Sequence, residues 1–424
     1  MKKRIIALSA LFCAYTTSVM GAGFQTLEQG ASNMGNANAG ATVNANADAT
    51  SAFWNPSSGF NIGLKKGETK LDTALFGVIS KFDFVAESVQ SLDPSVNGRT
   101  GKSGNAGRES VIPNFYLVHQ MEENLLFSLS VSAPYGLETD YGEAWVGREM
   151  ALNSRLTTID INPSVSYKVN DWLAISGGIS VQWLHAKLTQ AVPYVAIPMY
   201  GPGEFKVSGD SWAVGGNIGF TINYAEDGRI GFQWRSEISH RVKGSNHLNG
   251  LAIAPVEADL TLPHSFSLGW YQRLRGDLKK VALMAEYCYT MWSSFEDLTI
   301  KNTATGGLVS TQDEDWRNTS RVAVGMHFYP LDNDDLVLRF GTAWDQTPIK
   351  NAYHRYARIP CTDRIWFSTG LGYKYENWNF DLAYTFIYFT DKPGMHDGNA
   401  YGTTLKGYFE GRAHVIGAQV GYKF

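Results

Sequence analysis

Cysteine is scarce in this 424-residue chain: Cys13 lies in an apolar leader, and only Cys288 and Cys361 remain beyond it. That excludes a disulfide framework and a cysteine-based metal cluster, and leaves one bridge at most. Charge is sparse too, at 18% of residues with a net value of -4, which argues against a nucleic-acid partner. The 14 prolines are scattered, and no linker or charge run divides the chain, so one large unit is expected rather than several soluble domains. Above all, no apolar run approaches the roughly 20 residues of a transmembrane helix. No phosphate loop or metal-type cluster is visible, so no cofactor is expected.

What is present is unusual in combination. Aromatics reach 13%, Gly numbers 43, and mean hydropathy is slightly negative at -0.20. Strands that alternate lipid-facing with water-facing residues average out in this way. The chain opens with Lys2, Lys3 and Arg4, an apolar run from Ile5 to Leu11 and small residues near Val19, Gly21 and Ala22. This predicts a signal peptide over residues 1–21, with cleavage after Ala22 as the alternative. The last residues put Ile416, Ala418, Val420, Tyr422 and Phe424 on one face of a strand, and Gly417, Gln419, Gly421 and Lys423 on the other.

The same alternation recurs along the chain. From Ser211 to Tyr224, Trp212, Val214, Ile218, Phe220 and Ile222 share a face against Ser211, Asn217, Thr221 and Asn223, and Asp227-Gly228 then turns the chain. One hairpin would suit a soluble β-sandwich equally well, so number and rhythm decide. Fourteen such segments start near residues 71, 110, 124, 156, 172, 209, 228, 257, 279, 316, 335, 363, 378 and 411. Connections alternate between short turns, as at 120–123 and 225–228, and long ones, as at 83–109, 134–155, 190–208, 243–256 and 344–362. The fold class is therefore all-β, a transmembrane antiparallel barrel of 14 strands over residues 61–424, with both termini in the periplasm of a bacterial outer membrane. A monomer is expected, assembled by the barrel-assembly machinery and surrounded by outer-membrane lipid and lipopolysaccharide.

Residues 22–60 have little strand periodicity. They are rich in Ala, Asn and Gly, yet Phe24, Leu27, Met34, Val43, Phe53 and Trp54 scatter apolar anchors through them. A disordered tail would fit the composition, but a barrel this wide leaks unless filled, which favours a plug inside the lumen. Here Ala22-Gly23-Phe24-Gln25, Gly35, Gly40, Ala47-Asp48-Ala49 and Asn55-Pro56 resemble the N-terminal hatch of the long-chain fatty acid transport protein (FadL) family. The likeness continues through Ala133-Pro134-Tyr135-Gly136-Leu137, Trp234-Arg235-Ser236-Glu237, Thr261-Leu262-Pro263, Tyr287 to Phe295 and Asp363-Arg364-Ile365-Trp366, in the family's order; Ser57 stands where the family normally has Ala. The resemblance implies a barrel plugged by its hatch. Such a barrel captures hydrophobic cargo in an apolar groove between external loops and passes it to an internal pocket. It then releases the cargo by diffusion through a gap at a kinked third strand.

Each part has candidate residues. Pro134 removes a ladder donor and Gly136 loosens the backbone, so a lateral opening is expected at Ala133, Pro134, Tyr135 and Gly136; Pro134 could also simply end the strand. For the external groove, Trp145, Val146 and Met150 in one loop and Tyr194, Val195, Ile197 and Met199 in another are apolar where water is expected. They could equally pack on one another as a cap. Inward positions carry Arg235, Arg321, Arg339 and Arg364 with Glu237, Glu286 and Asp381, which read mainly as ion-paired networks holding the hatch. The family's basic head-group residues align with Gln190 and Gln312, and His185 and Lys187 are nearby substitutes. Arg235, Arg321 and Arg364 complete the candidate pocket. Neutral amides leave neutral aromatic hydrocarbons open as cargo beside fatty acids. An outer-membrane hydrolase, suggested only by pairs such as Ser239-His240, and a general porin are the remaining readings, and no enzyme is expected.

Overall fold

The structure, a computed structural model, describes residues 22–193, 203–399 and 402–424. The expected signal peptide and the groove residues Tyr194, Val195, Ile197 and Met199 lie outside the described residues. Fourteen antiparallel positions close a barrel. They are β1 (Thr69–Gln90), β3 (Glu109–Glu122), β4 with β5 (Leu125–Ser132, Gly136–Asp140), β6 (Asn153–Lys168), β7 (Leu173–Val192) and β8 (Gly203–Ala225). The wall continues with β9 and β10 (Gly228–Arg235, Ile238–Leu248), β11 and β12 (Leu251–Leu262, Ser265–Arg273), and β13 and β14 (Val281–Thr290, Asp297–Asn302). It ends with β15 and β16 (Leu308–Asp313, Thr319–Phe328), β17 (Leu336–Asp345), β18 (Arg364–Tyr375), β19 (Trp378–Phe389) and β21 (Thr404–Lys423). Two accessory strands, β2 (Gly101–Asn105) and β20 (Gly394–Gly398), pair with β1 and β21. Closure is made by β1 on β21, paired from Lys70 with Lys423 to Gln90 with Thr404, with a one-residue register shift between Ala86 and Ser88.

The period-2 pattern is what this wall requires. On β8, Trp212 and Val214 are each 65% exposed on the outside, whereas Ser211 and Asn217 are buried against the lumen. No helix of the described residues is long and apolar enough to cross a membrane. Strands β7 and β8 are 20 and 23 residues long, about twice the roughly 9–11 that a bilayer needs, so paired strand continues well past the apolar band. That corrects several expected loops. Residues 243–256 form not a long loop but a hairpin, with Asn249 and Gly250 at φ 51° and 81° in its two-residue turn. Strand β1 likewise runs to Gln90 rather than ending near 83. Beyond the lipid the faces lose their apolar-polar contrast, so pairing persists where periodicity fades.

Residues 22–62 fill the lumen, with short helices at Ala31–Met34 and Ser51–Trp54 and a 3-10 turn at Pro56–Ile62. Asn55 caps that turn by accepting from the Ser57 N–H at 3.2 Å. The wall donates to hatch carbonyls from several sides: Arg229 to Val43 at 2.9 Å, Gln233 to Phe53 at 3.0 Å and Arg321 to Ala37 at 2.8 Å. Backbone approach is closest where Gly35 meets Gly370; a Cβ on Gly35 would lie 2.9 Å from the Gly370 Cα. Only glycine permits that contact.

Candidate functional site

The ladder breaks between β4 and β5. Strand β4 pairs with β3 up to Val131, and both β4 and β5 pair with β6. On its other edge β5 has no strand of the wall. The hatch takes that edge instead: the Thr26 N–H donates to the Pro134 carbonyl at 2.8 Å, and the Gly136 N–H to the Phe24 carbonyl at 2.9 Å. A single bridge, Gln25 with Tyr135, results. Ala133, Pro134, Tyr135 and Gly136 thus sit at one gap, stopped by three residues of the hatch. Phe24 extends this stopper into an aromatic cluster, with ring centroids 4.7 Å from Trp292, 5.7 Å from Phe295, 5.8 Å from Trp316 and 6.1 Å from Tyr135. Each such contact is worth roughly 0.5–1.5 kcal/mol beyond area burial.

Above Phe24 lies a cavity whose walls include Leu137, Leu156, Leu188, Val207, Val242 and Leu260. Arg155, Glu257, Glu314 and Arg358 are the charged residues in its lining. Arg358 is a loop residue between β17 and β18, held in place by donating to Ser154 Oγ at 3.1 Å, the Thr189 carbonyl at 3.3 Å and Gln190 Oε1 at 2.8 Å. Among the described residues no carboxylate oxygen lies within 4 Å of its guanidinium. Burial draws its pKa down to about 10, so it stays cationic at neutral pH. Glu314 is 3% exposed, and burial pushes its carboxyl up to about 8. A concave lining that is mostly apolar with a few convergent polar groups has the character of a ligand site.

Below the aromatic cluster is a second, polar space lined by Gln25, Thr26, Gln233, Arg235, Arg321 and Asp345, among others. The expected lumen residues therefore separate into groups. Arg235 lies here, donating to the Phe53 carbonyl at 2.9 Å, as does Arg321. Arg364 pairs with Asp345 at 3.2 Å, and Arg339 with Asp381 at 2.7 Å. None of the four reaches the apolar cavity, and Glu237 is exposed beside His264 rather than facing inward. Gln190 does reach the upper site, as the acceptor that holds Arg358. Gln312 is half-exposed opposite Leu298 and does not line the cavity. His185 and Lys187 are corrected as well. They alternate with the inward Leu184, Ala186 and Leu188, and the His185 ring points outward, 3.0 Å from Asp210 and stacked on Trp183.

Trp145, Val146 and Met150 are also not an open groove. Trp145 is 1% exposed, stacks on Tyr141 at 3.8 Å and donates to the Ala151 carbonyl at 2.7 Å. With Phe84, Leu405 and Phe409 the three form the core of a loop cap at the end of the barrel away from the termini. Arg358 and Glu314 carried no signal in the sequence, because loop residues have no periodicity to place them.

The long-chain fatty acid transport protein of Salmonella typhi is 26% identical over 409 residues, spanning 87% of this chain and 88% of its own. The crystal structure of a Pseudomonas aeruginosa FadL homologue superposes with a TM-score of 0.81 at 25% identity, covering 95% and 99%. The Pseudomonas putida toluene transporter TodX shares the fold, with a TM-score of 0.66 at 15% identity over 95% and 99%. A family model described as outer membrane protein transport protein (OMPP1/FadL/TodX) matches residues 12–424, and the chain belongs to that family of transport proteins, which are not enzymes.

Proposed function

We propose that this protein takes up long-chain fatty acids by diffusion, holding the chain in the apolar cavity and the carboxylate at Arg358. Its termini lie in the periplasm, and cargo leaves sideways through the break between β4 and β5. The observation that carries this reading is the Arg358 guanidinium, which among the described residues is held by neutral acceptors alone, in the wall of a mostly apolar cavity. A carboxylate would complete it with charge-assisted hydrogen bonds. The neighbouring alternative is a neutral aromatic hydrocarbon, favoured by Glu314, which lines the same cavity and would repel an anion when ionised.

Binding of oleate, oleyl alcohol and toluene to the purified protein separates the two. Removing a hydrogen bond to a charged group costs roughly 1.5–3 kcal/mol, or about tenfold to a hundredfold in affinity. Arg358→Gln should weaken oleate by that factor and leave oleyl alcohol unchanged. Equal losses for both, or tighter binding of toluene than of oleate by the unaltered protein, would favour the neutral cargo.

A further inference from the structure

Like charges face each other across the ladder at several places on the wall, among them Arg155 opposite Lys187 and Asp297 opposite Asp313, and in the closing pair they do so in two successive rows of opposite sign. In the closing pair Lys81 of β1 lies opposite Arg412 of β21, both on the outward face, and one row further Asp83 lies opposite Glu410. Like charges directly opposed on one face destabilise a sheet. Intramolecular pairing relieves this only in part. Lys81 reaches Asp83 at 3.2 Å, Lys102 reaches Asp83 at 3.4 Å and Glu410 at 3.8 Å, and Lys392 takes Glu410 at 2.6 Å. Arg412 has no carboxylate within 4 Å among the described residues, although it is exposed and carries a full charge. Glu109 lies a row lower, on the far side of β1, opposite Ile79.

The height of this row identifies what lies beside it. From Tyr422 to Arg412 is ten residues of β21, whose outward members between them include Val420, Ala418 and Ile416. At about 3.3 Å per residue and a tilt of about 40° this spans about 25 Å, the height of an outer-membrane apolar band. The Lys81–Arg412 row therefore stands at the far rim of the lipid from the chain termini. The cations do not stop at that rim. Lys392, 5.3 Å above the Tyr408 ring, and Lys406, paired with Glu87 at 3.6 Å, continue upward by six residues of β21, about 15 Å on the same geometry. A phospholipid head group is too shallow to follow them; a lipid whose phosphates sit on a sugar core is not.

We propose that Lys81 and Arg412, with Lys102 and Lys392 above them, seat a phosphate of the glycolipid that forms the outer leaflet. Arg412 supplies the planar donor fork that suits a phosphate, and the opposed Lys81 supplies the second charge. The assignment of this rim to the outer leaflet rests on the periplasmic termini proposed above.

The test uses the full-length protein in detergent and native mass spectrometry. The probes are a short-core phosphorylated lipopolysaccharide, the same lipid after dephosphorylation, phosphatidylglycerol and inorganic phosphate. The unaltered barrel should retain the phosphorylated glycolipid at least tenfold better than Lys81→Ser/Arg412→Ser. A control removing two cations near the opposite end, Arg275→Ser/Lys374→Ser, should match the unaltered protein. Asp83→Asn, which removes a competing carboxylate, should raise retention and keeps the test decisive if the double variant fails to fold. Equal retention by the double variant, equal retention of the dephosphorylated lipid, or equal competition by phosphatidylglycerol would overturn the proposal. So would displacement by millimolar inorganic phosphate, which marks a free-anion site. Orientation is read separately, by access of an external antibody to an epitope inserted at Asn249-Gly250, so the two readings fail independently.

Discussion

Glu314 and Arg358 share one cavity wall under opposite physical pressures. Burial disfavours the charged form of both, raising the carboxyl to about 8 and lowering the guanidinium to about 10. Near neutral pH the glutamic acid is therefore mostly uncharged while the arginine keeps its proton, and the cavity presents net positive charge. The sign follows from linkage: a carboxyl whose folded-state pKa is raised is most compatible with the fold below its ordinary value of 4.5, and that compatibility is lost as pH rises through about 8. Above that range an ionised Glu314 opposes an anionic cargo. Affinity for an alkyl sulfonate, whose own charge does not titrate there, should fall between pH 7 and pH 9, and Glu314→Gln should flatten the profile. A profile unchanged by Glu314→Gln would remove this residue from the site.

At the scale of elements, the break between β4 and β5 joins the wall to the hatch. Two backbone hydrogen bonds, which together make one β-bridge, hold Phe24 to Thr26 on the open edge of β5. At a net ~0.5–1.5 kcal/mol for each hydrogen bond and a similar amount for each ring contact of Phe24, withdrawing that stopper breaks fewer interactions than parting a strand of the ladder. If cargo leaves here, replacing the break with continuous strand, as in Pro134→Thr/Gly136→Val, should slow fatty acid uptake by cells. Heat-modifiable gel migration, the mark of a folded barrel, should persist; undiminished uptake would exclude the route.

How far this element could be read in advance differs by part. Pro134 and Gly136 announce the break because proline lacks the ladder donor. The strand positions themselves follow from alternation, which lipid on one face and lumen on the other enforce. The same alternation places Lys187 and His185 outside: with Gln190 inward, they stand on the other parity and face out. Trp145, Val146 and Met150 show the opposite case. An apolar loop residue reads the same whether it meets cargo or its neighbours, and here Tyr141 and the Ala151 carbonyl bind Trp145 into a cap. Arg358 was invisible because a loop, not a strand register, aims it into the cavity.

The whole molecule works as two bodies with different obligations. The wall closes on itself through β1 and β21 without using any residue of the hatch, so the barrel's ladder does not depend on its plug. The hatch depends on the wall: its carbonyls at Ala37, Val43, Asn44 and Phe53 take donors from Arg321, Arg229, Gln233 and Arg235. Those side chains surround the segment and lose their partners if it is removed, but in an open lumen water replaces them, whereas in a dry core they would remain unsatisfied. Removal of residues 24–54 should therefore leave an assembled barrel. It should also empty the region between the aromatic cluster and the first strand, take Phe24 from the floor of the apolar cavity, and free the edge of β5. In planar bilayers such a variant should conduct small ions in large, persistent steps where the intact protein conducts little, and fatty acid selectivity should disappear with the floor. A variant that assembles normally and conducts no better than the intact protein would show that something other than this segment blocks the lumen.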